Sequence, residues 1–146
     1  MSYFADASFL VAFFASDQHS KQAIRWWDEH GNPVMRTSRL AYFEAENSIR
    51  VLRVAKKITH EEQFQSIETM KRFILEGMLE LRETPVKRLF PLARRLSQFH
   101  TTDRSFGAMD ILHVASALEM KAGCLLSFDD RQNELAESEG IKTAPV

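Results

Sequence analysis

Four acidic residues interrupt stretches of the chain that otherwise read as core. Asp6 breaks the apolar run YFADASFLVAFF, Glu44 breaks LAYFEAENSI, Asp110 breaks GAMDILHVASAL, and Asp129 ends CLLSFDD. An ionised carboxylate is almost never fully buried unless it is paired or binds a metal. Like charges gathered in apolar surroundings repel, and each raises its neighbours' pKa. Desolvation adds a cost of roughly several kcal/mol per ion. Such a cluster is retained where something cationic neutralises it. Hard divalent cations take oxygen ligands, and Mg²⁺ or Mn²⁺ suits carboxylates and water. Zinc would call for His or Cys, but His19, His30, His60, His100 and His113 are scattered with no H-E-x-x-H spacing. An all-carboxylate metal site points to phosphoryl or phosphodiester chemistry, in which bound ions activate water and stabilise the leaving oxygen. There is no Gly-rich phosphate cradle and no G-x-S-x-G, so P-loop hydrolysis and esterases of that kind have no support.

Each acid also has a plainer reading. Asp6 before Ala-Ser-Phe-Leu and Asp129 before the last helix stand where N-caps stand, and Asp110, early in the apolar helix, could cap it. Asp110 is three residues from His113, within reach on one helix face, and Glu44 could be an exposed helix residue paired with Arg39 or Arg50. Glu46 and Asp130 read as solvent-facing neighbours. The joint pattern points to one cluster gathered by folding.

The elements that must gather it alternate. Ser2–Ala5 reads as a short strand, Ala7–Ser16 as a helix, and Ser20–His30 as another closed by Gly31 and Pro33. A strand is expected over Pro33–Thr37. Ser38 then caps a long helix to about Lys57, with Leu40, Phe43, Asn47, Val51 and Val54 in one stripe. Thr59-His-Glu-Glu62 is a capping box opening a helix through Leu75. Leu79–Arg82 alternates like a strand. Thr84 as cap and Pro85 at the first helical position open a helix to about Phe99. A strongly apolar helix spans Ala108–Lys121 and Gly123 follows it. Cys124–Phe128 is a buried-type strand, Asp129 or Asp130 caps a helix to Glu139, and Ile141–Ala144 is a final edge strand. Alternating strands and helices imply an α/β layer with a mostly parallel sheet, whose ligands bind beyond the carboxyl ends of the strands. Asp6 and Asp129 follow strands there, and Glu44 and Asp110 lie early in helices that can face the same edge.

Composition narrows the class. The 146 residues fit one domain, 1–146, and 45% hydrophobic with 27% charged is a globular balance. A net charge of -1 gives no global pull toward polyanions, so any such surface must be local. Candidate groups are Arg36 and Arg39, Arg50 and Arg53 with Lys56 and Lys57, Arg94 and Arg95, and Arg104. The lone Cys124 reads as a core thiol. No apolar stretch approaches the ~20 residues of a membrane span. The start MSYFADASFL has no basic segment or cleavage site, so a cytoplasmic protein is expected.

At these residues the chain resembles a family. Asp6-Ala7-Ser8-Phe9-Leu10 is similar to the opening motif of PIN-domain nucleases. Thr37-Ser38-Arg39-Leu40 with Glu44 and Asn47 resembles their second motif. Met109-Asp110-Ile111-Leu112-His113-Val114-Ala115 resembles the third, and Leu126-Ser127-Phe128-Asp129-Asp130-Arg131-Gln132 with Leu135, Ala136 and Gly140 the fourth. The resemblance covers essentially the whole chain, and a chain this short looks most like the VapC-type toxins of toxin–antitoxin pairs. It implies a PIN-like three-layer α/β domain with a mostly parallel central sheet flanked by helices. It further implies a Mg²⁺- or Mn²⁺-dependent endoribonuclease with Asp6, Glu44, Asp110 and Asp129 as its acidic quartet. Asp6, Asp110 and Asp129 would ligate the metal, and Glu44 would act partly through water. Ser8, Ser127 and Asn47 would support them from behind, Ser127 standing where many relatives carry Thr. His113 reads first as a core histidine. An RNA substrate, a cognate antitoxin and a homodimer are the partners implied.

Two other readings compete. An Asp-nucleophile phosphatase would want a second Asp two residues after Asp6, where Ser8 stands. A non-catalytic PIN-like module binding a metal or a partner is the alternative from another class.

Overall fold

The computed structural model describes residues 1–146, and the elements run β1 (Tyr3–Ala5), α1 (Ala7–Phe14), α2 (Ser20–Glu29), β2 (Met35–Ser38), α3 (Arg39–Val54), α4 (His60–Leu75), β3 (Leu79–Arg82), α5 (Val86–His100), α6 (Ala108–Glu119), β4 (Cys124–Leu126), α7 (Asp130–Ser138) and β5 (Lys142–Ala144). The five strands form one sheet in the order β3-β2-β1-β4-β5. Every pairing is parallel, so the sheet is wholly rather than mostly so. Tyr3 pairs with both Met35 and Cys124, which sets β1 at the centre.

The sheet is sandwiched because its short strands bury both faces. Ala5, Met35, Leu79, Cys124 and Leu126 pack with α1–α4 in one core. Phe4 and Leu125, the alternating neighbours, pack with α5–α7 in a second. This is the three-layer α/β arrangement expected. An aromatic group of Phe9, Phe13, Phe14, Trp27 and Phe73 anchors the first layer through edge and stacked contacts. Cys124 is buried, and burial pushes its thiol up to about 11, as befits an inert core residue. No helix is long and apolar enough to cross a membrane.

Most local expectations hold within a residue or two, and the departures have physical reasons. The capping box at Thr59 forms, with Glu62 N–H donating to Thr59 Oγ1 and Thr59 N–H to Glu62 Oε1. Asp129, not Asp130, caps α7. Pro85, not Thr84, occupies the cap of α5; its carbonyl accepts from Arg88 and Leu89, and Thr84 Oγ1 is left buried without a partner. β4 ends at Leu126 instead of Phe128 because the next backbone amides turn to side chains: Phe128 N–H donates to Ser8 Oγ and Asp129 N–H to Ser127 Oγ. On α3 the stripe read from sequence faces outward: Phe43, Val51 and Val54 are exposed, while Ala41, Ala45 and Ile49 are buried. Small alanines let the helix lie close on its neighbours, which the larger residues would prevent.

Candidate metal-binding and active site

The chain builds β1, β2 and β3 outward on one side of the sheet, then returns to place β4 on the other side of β1. That reversal is a topological switch point, where α/β folds leave a crevice beyond the strand ends. Asp6 follows β1 directly, and its N–H donates to Leu126 O at the end of β4.

Asp6 is wholly buried. It caps α1, with Oδ1 accepting from Phe9 N–H at 2.9 Å and from the Ser8 hydroxyl at 2.7 Å. Oδ2 accepts from the Ser127 hydroxyl at 2.5 Å. Burial pushes this carboxyl above its ordinary range; the donors Ser127, Phe9 and Ser8 and the neighbouring His113 pull it only part of the way back. Ser8 and Ser127 thus both donate to Asp6, and each does a second task. Ser8 Oγ accepts from Phe128 N–H, and Ser127 Oγ accepts from Asp129 N–H at 3.0 Å.

Asp129 caps α7, with Oδ1 accepting from Arg131 N–H at 3.0 Å and Gln132 N–H at 3.2 Å. Asp110 sits in the first turn of α6. Its carboxyl is raised, by burial first and by the charge of Asp129 second. One amide joins these two acids: Gln132 Nε2 lies 3.2 Å from Asp110 Oδ1 and 3.5 Å from Asp129 Oδ2. Glu44, half-buried on α3, meets Nε2 of His113 at 2.5 Å. His113 is wholly buried with Nδ1 unpartnered, so it is a core histidine by burial and a partner of the quartet by contact. Asn47 is exposed and makes no hydrogen bond to any of these acids.

Folding therefore links Asp6 to Asp129 through Ser127, and Asp129 to Asp110 through Gln132. Glu44 joins through its contact with His113 Nε2. The acids converge in pairs, and no three His, Cys, Asp or Glu side chains form a ready cage. The donor set nonetheless fits a hard divalent cation. It is all oxygen, it carries mutual repulsion, and no Lys or Arg pairs with any of the four, whereas Glu46, Glu80, Glu83, Glu119, Glu134 and Glu139 each have an Arg. Sequence reasoning gave Gln132 no role and gave His113 a mainly structural one. Gln132 stands three residues after Asp129, the spacing at which a cap meets the first helical turn, and that was the available signal.

The sequence model of the PIN domain matches residues 3–138. None of the curated proteins compared with the chain by sequence matches it. Among solved structures, VapC20 of Mycobacterium tuberculosis, described as a sarcin-ricin loop cleaving toxin, superposes with a TM-score of 0.65 at 17% identity over 96% of each chain. FitAcB of Neisseria gonorrhoeae gives 0.66 at 14% identity, covering 98% of this chain and 96% of that one. FitAB bound to a DNA fragment gives 0.65 at 15% identity, covering 97% and 93%.

Proposed function

Because the chain belongs to the PIN domain family, we propose that it is a metal-dependent endoribonuclease, the toxin of a toxin–antitoxin pair, active as one domain over residues 1–146. The observation that carries this reading is the linkage of Asp6 to Asp129 through Ser127 and of Asp129 to Asp110 through Gln132, with no Lys or Arg ion-paired to any of the four acids. The toxin reading rests on likeness to VapC20 and to FitAcB over nearly the whole chain.

We assign metal ligation to Asp6, Asp110 and Asp129, with Mg²⁺ or Mn²⁺ as the ion. When bound, such an ion supplies a Lewis acid that acidifies water and stabilises the leaving oxygen of a phosphodiester. The residues do the rest. Ser8, Ser127 and the Phe9 amide hold Asp6 in one orientation. The α7 cap fixes Asp129. His113 fixes Glu44 at the rim, where its half-exposed carboxylate can accept a proton from water. The cytoplasm, where RNA is found, is the compartment this chemistry fits.

Protein partners are the cognate antitoxin and a second copy of the chain. The outward stripe of α3, with Phe43 64%, Val51 56% and Val54 67% exposed, supports a docking face.

The purified protein should cut RNA with Mg²⁺ or Mn²⁺ and stop with chelator. Asp6→Asn and Asp110→Asn should each lower the rate by roughly 10² or more, the scale of losing a metal-borne electrostatic contribution, while circular dichroism stays unchanged. Full activity in both variants would remove the assignment. Inactivity of the parent across many RNAs, with tight binding of a partner, would favour the non-catalytic module.

A further inference from the structure

Gln132 lies in the first turn of α7 with only 5% of its surface exposed. Its Nε2 faces Asp110 Oδ1 at 3.2 Å and Asp129 Oδ2 at 3.5 Å, so its two amide hydrogens serve two carboxylates. Its Oε1 is buried with no hydrogen-bond partner. The reverse orientation would set that oxygen against two negative charges, so electrostatics dictates the one seen. A buried, unpartnered amide oxygen carries a desolvation cost that an apolar residue of the same length would avoid. What the amide provides in return is the only side-chain donor shared by the two acids. Both contacts lie at the long end for N–H···O bonds, so they are weak and readily exchanged.

We propose that Gln132 is a positioning residue that stands in for the cation in the metal-free protein, its amide hydrogens bridging Asp110 and Asp129 until a divalent ion displaces them. The inference rests on the metal reading above and adds a consequence to it. An ion entering this pair competes with the amide, so Gln132 weakens ion binding and keeps it exchangeable. Two like charges held close without a resident ion would otherwise spread apart or bind the first cation tightly.

Mn²⁺ binding, followed by the free-ion electron paramagnetic resonance signal, tests this on the full chain without any RNA. Gln132→Met keeps the length of the side chain and removes its donors. It should bind Mn²⁺ at least threefold more tightly than the parent. Gln132→Lys places a permanent cation at the same point and should weaken Mn²⁺ binding at least tenfold. Equal or weaker binding by Gln132→Met overturns the placeholder, as does undiminished binding by Gln132→Lys; the second variant decides if the first does not fold. A parent that binds no Mn²⁺ overturns the metal reading and this inference together. A parent that binds, with Asp110→Asn losing it and Gln132→Met unchanged, overturns this inference alone.

Discussion

Ser127 shows how much one hydroxyl can carry at this site. Its proton goes to Asp6 Oδ2 at 2.5 Å and its oxygen accepts the Asp129 N–H at 3.0 Å, so it ties two acids that are 123 positions apart by their own numbers. Ser127→Ala would strand a carboxylate oxygen in a fully buried place and leave an amide unpaired. It should destabilise the metal-free protein by about 1–3 kcal/mol, the usual cost of a buried group deprived of its partner. Ser127→Thr, which keeps the hydroxyl, should restore most of that loss. Urea titration in chelator measures both, and an Ala variant as stable as the parent would show that the bond is not holding Asp6. Asp6 and Asp129 are both helix caps, yet their surroundings differ: burial raises Asp6, whereas Asp129 is only half-buried and leaves Oδ2 turned toward Gln132.

Among the elements, α3 divides its labour by residue size. Ala41, Ala45 and Ile49 seat it, Glu44 reaches His113, and Phe43, Val51 and Val54 look outward. An apolar residue left outside a well-packed fold gains by finding a partner surface, at roughly 25 cal/mol per Å² removed from water. Light scattering at micromolar concentration should therefore find a dimer, and the pair Phe43→Ser with Val51→Ser should shift it to monomer with an unchanged melting temperature in the monomeric range. A parent that stays monomeric would withdraw the second copy as the occupant of this face. Helix α5 is a contrasting element. It runs through Pro91 and starts without a side-chain cap, so packing rather than local preference sustains it.

Across the whole molecule, five of the nine basic groups considered for RNA are already paired with acids. Arg36, Arg39, Arg50, Arg95 and Arg104 each meet a glutamate, leaving Arg53, Lys56, Lys57 and Arg94 of the candidate RNA-binding groups without an acidic partner. If those four contact phosphates, RNA affinity should fall steeply with salt. The Glu139 cluster joins α5 to the end of α7 and predicts a pH response. Burial would raise the Glu139 carboxyl, but hydrogen bonds from His100 at 2.7 Å and Arg95 at 3.1 Å together outweigh it and hold the group below its ordinary 4.5. A depressed carboxylate contributes stability above its unfolded value and loses it as pH falls through the folded value. Stability should thus drop below about pH 4.5, and Glu139→Gln should flatten that drop in thermal melts. Asp6 and Asp110 are raised and work in the opposite sense, favouring the metal-free fold as pH falls, so the comparison must be parent against variant at each pH.

Sequence alone determined what depends on near neighbours. Caps at Asp6, Ser38, Thr59 and Asp129, the alternation of strand and helix, and the candidate acids were all legible, because a cap or a periodicity is settled within three or four residues. Tertiary structure alone decided who meets whom: Glu44 with His113 at a separation of 69 residues, Asp110 with Gln132 at 22, Asp6 with Ser127 at 121. It also decided which side of α3 is buried, since Leu40, Phe43 and Val51 are as apolar as the residues inside. Burial and long-range pairing depend on how whole layers close over the sheet, and no local run of residues carries that information.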